Sequence, residues 1–158
     1  MTSTEAVTHE SEFSIELVQQ ADYRFEARFD NPVVPALVTD ETAPLGADAG
    51  PSPVRLLAVA VANCLAASLL FAMRKFKNDP GPLRAVATVQ MARNAQKRLR
   101  VGRIGVDLHL GASGAELAML DRVLQQFEEF CTVTQSVRGA FPVNVRVIEP
   151  SGAVLHSS

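Results

Sequence analysis

Pro53-Val-Arg-Leu-Leu-Ala-Val-Ala-Val-Ala-Asn-Cys-Leu-Ala-Ala-Ser-Leu-Leu-Phe-Ala-Met73 is the stretch on which the fold turns. From Leu56 to Met73 it carries no charge, and only Asn63, Cys64 and Ser68 are polar or reactive. Ala and Leu are strong helix formers, and Pro53 suits a first helical turn because its missing N–H would have no partner there. Arg74-Lys75-Phe76-Lys77 then supplies cations where a helix C-terminus favours them. A helix apolar on every side is surrounded either by protein or by lipid. The length just reaches that of a membrane span, but alanines give little transfer free energy, and Asn63 and Ser68 interrupt the middle. Strand-like sequence also follows. The expectation is a buried central helix with a thiol, Cys64, at its middle.

The whole chain has 158 residues, 47% of them hydrophobic, and a net charge of −2. That length is expected to make one domain with a sizeable core. The charge gives no strong pull toward nucleic acid or anionic lipid, and with no Trp and one Tyr there is little on which bases could stack. Two cysteines without a signal peptide point to the reducing cytoplasm, where such a pair serves packing or redox chemistry.

Outward from the helix, residues 1–11 are polar and expected to be a disordered tail. A single domain is expected over 12–150, and a C-terminal tail over 151–158. Phe13, Ile15 and Leu17 alternate with polar residues as a strand, and Tyr23, Phe25, Ala27 and Phe29 as a second, with a turn at 19–22. From Asp30 to Ser52 the chain is irregular, with a short strand expected only at 36–38; loops this long are usually functional or mobile. Asn78-Asp-Pro-Gly-Pro82 ends the helix. Leu83–Arg93 and Arg98–Leu110 read as paired strands around a turn at 94–97. Arg93, Lys97, Arg98, Arg100 and Arg103 surround that turn and read as a solvated hairpin rather than a nucleic-acid patch. Ala115–Phe130 has the spacing of an amphipathic helix, Thr132–Arg138 of one or two further turns, and Val143–Ile148 of a last strand. The order is β-β-α-β-β-α-β, and the class α+β, with antiparallel sheets.

His9, His109 and His156 share no ligand spacing with the cysteines, so no metal or other cofactor is expected. No phosphate loop or nucleophile elbow occurs. Cys64 and Cys131 remain. Taken alone, each is more often a small buried hydrophobe than a reactive thiol. Two features favour chemistry: Asn63-Cys64 is the most polar point of the helix, and Cys131 precedes a segment whose helix N-terminus could stabilise a thiolate.

Gly50-Pro-Ser-Pro53, Leu56-Leu57 and Ala62-Asn63-Cys64-Leu65 resemble the Gly-Pro-Asn-Pro-Glu-x-Leu-Leu…Ala-Cys-Leu signature of the OsmC/Ohr family. Cys131-Thr-Val-Thr-Gln-Ser-Val137 and Val143-Asn-Val145 resemble its Cys-Pro-Val-Ser/Thr segment and final strand. The resemblance spans residues 12 to 148. It implies an OsmC-like fold in an intertwined homodimer, with active sites at the interface. It further implies a peroxidatic role for Cys64, a resolving role for Cys131 through a disulfide, and a function in stress response. The implied partners are an organic hydroperoxide substrate and a dithiol reductant such as a lipoyl group.

The departures bear on the chemistry. The family's peroxidases carry a Glu directly after the Pro, where this chain has Val54. They also carry an Arg in the preceding loop, whereas Ala43-Pro-Leu-Gly-Ala47 has none. In the family that Arg stabilises the thiolate and the Glu holds the Arg. Arg55, nine residues before Cys64, falls on the opposite face of the helix. Arg24 or Arg28 could compensate from a partner chain. Without a cation, desolvation disfavours a thiolate, so Cys64 is expected to be redox-active but a poorer peroxide nucleophile. Two readings follow: a two-cysteine peroxidase, or a non-peroxidase relative that binds or handles thiols.

Overall fold

The structure, a computed structural model, describes residues 10–158. The tail expected over residues 1–11, with His9, falls almost wholly outside them. The chain, expected as one domain over 12–150, separates into two compact units, one up to Pro53 and one from Val54 to Ser158.

The first unit is a three-stranded antiparallel sheet of β1 (Ile15–Ala21), β2 (Arg24–Phe29) and β3 (Leu37–Thr39), in that order. β1 runs further than its alternation indicates because the turn is tight: Ala21 pairs with Arg24, and Asp22 adopts φ 48° between them. Asp is among the few residues that accept that conformation readily. The long loop after β3 is ordered around a single acid. Asp40 is almost fully buried, and its carboxylate accepts the N–H groups of Glu41 at 2.8 Å, Ala47 at 3.0 Å and Ala49 at 3.1 Å. The hydrogen bond from Ala49, working against burial and aided by Ala47, Glu41 and the charge of Arg24, holds Asp40 below the usual carboxylate range. The loop closes so tightly that a Cβ on Gly46 would lie 2.2 Å from the Glu41 carbonyl oxygen, and one on Gly50 2.2 Å from that of Val38. The Gly of Gly50-Pro-Ser-Pro53 is therefore a packing requirement.

The second unit contains most of helix α1 (Pro53–Lys75) and a four-stranded sheet of β4 (Arg84–Arg93), β5 (Leu99–His109), β6 (Val143–Ile148) and β7 (Val154–Ser157), in that order. Not all of this sheet is antiparallel: β5 and β6 run parallel, Ile104 opposite Val143 through His109 opposite Ile148. The helical segments between them provide the crossover that parallel strands need. β7 occupies residues expected as a tail, its His156 opposite Val147. Val61, Leu65, Leu69 and Met73 of α1 share one core with Ile104, Val106 and Leu108 of β5 and the three valines of β6. Each such side chain contributes about 2 kcal/mol through the area it removes from water.

By length and composition α1 could also cross a membrane, but one side of it is the centre of this core. The opposite side carries exposed positions among the described residues. Val59, Asn63, Ala67 and Phe71 recur every fourth residue and are exposed, and Phe71 meets the exposed Phe130 at 6.4 Å between ring centroids.

The long amphipathic helix expected over Ala115–Phe130 is divided. A 3-10 turn at Gly114–Glu116 carries a Ser113–Glu116 capping box, α2 covers Leu120–Gln126, and a second 3-10 turn covers Phe127–Phe130. The division has a tertiary cause. The side chain of buried Asn78, just past α1, takes both main-chain groups of Ala118: Oδ1 accepts its N–H and Nδ2 donates to its C=O, each at 2.8 Å. Ala118 is thereby withdrawn from helical bonding, and Met119 follows at φ 54°.

Candidate functional site

Cys64 lies in the middle of α1, half-buried between exposed Asn63 and buried Leu65. Cys131 follows the second 3-10 turn and immediately precedes α3 (Thr132–Val137); it is fully buried. Its φ −81° and ψ 92° break the helical path, and its N–H reaches back to the Glu128 carbonyl at 3.1 Å. Both cysteines are free thiols. They belong to one cluster, Cys131 within the core and Cys64 packed against it. Burial pushes the Cys131 thiol up; Thr134 draws it back through its hydroxyl and its main-chain N–H, and the neighbouring Cys64 thiol pushes it further up. The two predicted site residues are thus brought into interaction.

Two further features hold Cys131. Thr134, fully buried on α3, presents its Oγ1 3.0 Å from Cys131 Sγ. Glu128 fixes the segment as a whole. Its carbonyl also accepts from Gln135 Nε2 at 3.1 Å, and its carboxylate pairs with Arg138 at the end of α3 and lies 2.7 Å from His156 Nε2 on β7. Burial works to raise the Glu128 carboxyl, but hydrogen bonds from Arg138, His156 and Ser158 outweigh it, and the group is held below its ordinary range. The sequence offered a faint sign of Thr134 in its i+3 spacing from Cys131. It offered none of Glu128 or His156, which meet only through the sheet.

The cations raised as compensators lie in the first unit and have partners there. Arg28 pairs with Glu26 at 2.8 Å and Glu16 at 3.6 Å, while the charge of Arg24 acts on Asp40. Among the described residues no group of three or more His, Cys, Asp or Glu side chains is arranged to hold a metal ion.

This fold is shared with solved structures. An OsmC-like protein of unknown function from Vibrio cholerae superposes with a TM-score of 0.74 at 16% identity, covering 88% of this chain and 100% of that one. An organic hydroperoxide resistance protein from Elizabethkingia anophelis superposes at 0.67 and 17% identity, covering 88% and 98%. That of Bacillus subtilis superposes at 0.64 and 16%, covering 85% and 98%. No curated protein sequence matches the chain. The sequence profile of the family described as OsmC-like protein matches residues 46–146, a span holding both cysteines and Thr134. With both sheets, the central helix and the two cysteine motifs in that order, the chain belongs to the OsmC-like protein family.

Proposed function

We propose that this protein is a thiol-dependent redox protein that reduces organic hydroperoxides through Cys64 and Cys131. One observation carries the reading: two free thiols from distant parts of the sequence pack in one apolar cluster, with Cys64 near enough to act on the Cys131 thiol. The family and its organic hydroperoxide resistance members supply the substrate class. In the first step the Cys64 thiolate attacks a peroxide oxygen. The O–O bond breaks, the alcohol leaves with a proton, and Cys64 becomes a sulfenic acid. Cys131 then attacks the Cys64 sulfur, the S–O bond breaks, and water leaves as the disulfide forms. A dithiol reductant restores both thiols by exchange and is itself oxidised to its disulfide. The protein acts in the cytoplasm as a homodimer, the exposed apolar stripe of α1 being covered by a second copy.

A second reading, a non-peroxidase that binds or handles thiols, is favoured by Val54 and by a loop that centres on the Asp40 carboxylate and carries no Arg between residues 40 and 50. Peroxide consumption separates the two. With cumene hydroperoxide and dihydrolipoamide, the wild type is expected to turn over, Cys64→Ser to be inactive, and Cys131→Ser to stop at a sulfenic acid that dimedone traps. No consumption by the wild type would give the second reading precedence.

A further inference from the structure

A threonine inside a short helix usually turns its hydroxyl to a carbonyl of the preceding turn, as Ser136 does here toward Thr132 at 2.8 Å. Thr134 does otherwise. It is fully buried, and its hydroxyl lies 3.0 Å from the Cys131 sulfur. The placement follows from the local fold. Cys131 stands in the cap position of α3 with extended backbone, and Thr134 is the third helical residue, the position from which a side chain and an N–H reach back to the cap. A β-branched side chain has few χ1 choices in a helix, so the hydroxyl is held where it is.

We infer that Thr134 is a positioning residue for the thiol step: its hydroxyl keeps the Cys131 sulfur turned toward Cys64 and hydrogen-bonds that sulfur as it loses its proton. A hydroxyl can serve both states, accepting from S–H and, after rotation, donating to S⁻. The need for it is set by the surroundings. Among the described residues the titratable group that acts on Cys131 is Cys64 from α1, and the carboxylate of Glu128, one turn back, is committed to Arg138 and His156. Neither offers a cation. Burial and Cys64 both oppose ionisation of Cys131, and among the described residues it is Thr134 that opposes them.

The inference rests on the reading in which Cys131 resolves an oxidised Cys64, and its test does not require a peroxide. Diamide accepts two electrons and two protons: Cys64 adds across its N=N bond, and Cys131 displaces the hydrazine to leave the disulfide. The rate of intramolecular disulfide formation, quenched in acid and read by mass, is followed from pH 6 to 10. The full chain is compared with Thr134→Val, Thr134→Ala and Thr134→Ser, each confirmed as folded by circular dichroism. Loss of the hydroxyl is expected to slow disulfide formation about tenfold at pH 7, the size of a hydrogen bond to a charged group. It is also expected to displace the pH midpoint upward. Thr134→Ser should return both to within about twofold of the wild type, on the same scale. Hydroxyl-free variants with the wild-type rate and midpoint would overturn the assignment. So would equal slowing in all three variants with an unmoved midpoint, since that is the signature of packing alone. A wild type that shows the Thr134-dependent profile with diamide but never consumes cumene hydroperoxide would remove the peroxidase reading and leave this one standing.

Discussion

Glu128 shows how much one side chain can organise. Its main chain anchors the N–H of Cys131 and its carboxylate anchors the far end of α3 and the strand β7, so the position of a thiol depends on an acid three residues before it. Removing one partner of a buried pair leaves the others desolvated. Glu128→Ala is therefore expected to cost about 3 kcal/mol, the low end of the range because Arg138 keeps some contact with water. In a chain of this size that lowers Tm by about 6–12 °C, measurable by calorimetry. The pH dependence has a defined sign. The folded carboxyl is held below its unfolded value, so its contribution is present above about pH 4.3 and is lost as pH falls through the folded value. The gap between wild type and Glu128→Ala should accordingly close in acid. Cys131 behaves in the opposite sense. Its folded pKa is raised, so the stability it contributes is complete below about pH 8.5, the unfolded value, and is lost as pH rises through the folded one. At this scale the sequence revealed the two thiols, because each sits in a recognisable motif. Pairs such as Glu128–His156 join residues with no periodic relation, and only the folded sheet brings them together.

Elements followed local pattern wherever the pattern was uncontested. The strand at Val143–Ile148 has the expected bounds, and α1 begins at Pro53 and ends at its cations. The segment after Gly114 departs from its helical spacing because a distant side chain competes for its main chain. Asn78 satisfies both polar groups of Ala118, and 3.6-residue periodicity cannot register a partner forty positions away. Asn78→Ala leaves those groups without their partner and is expected to cost about 2 kcal/mol in denaturant unfolding. It should also bring faster amide exchange at Ala118 than at Val123. The loop around Asp40 was equally illegible: composition marked it as irregular, but its order comes from one carboxylate accepting three N–H groups, which no composition encodes.

For the whole molecule, the helix apolar on every side buries one side in the core and, among the described residues, leaves a stripe of the other exposed. The exposed Val59, Ala67 and Phe71 are the basis for expecting a homodimer. Light scattering at micromolar concentration should give twice the chain mass, and Phe71→Asp should shift the protein toward the monomer; a monomeric wild type would remove the claim. Class and most of the element order could be read in advance because hydrophobic periodicity encodes them; β7 and the divided helix after Gly114 could not. The parallel pairing of β5 with β6 could not, since it depends on how the intervening helices return the chain. The order of residues in α1 and its covering strands also bears on synthesis. The helix leaves the ribosome well before β5 and β6, which bury its inner side. At about 5–20 residues per second, the chain from Met73 to Val147 takes about 4–15 s to make. Throughout that interval a run of Leu, Val and Ala waits without cover, open to chaperones and to neighbouring nascent chains. The growing polypeptide, more than the finished one, is the form of this protein most exposed to aggregation.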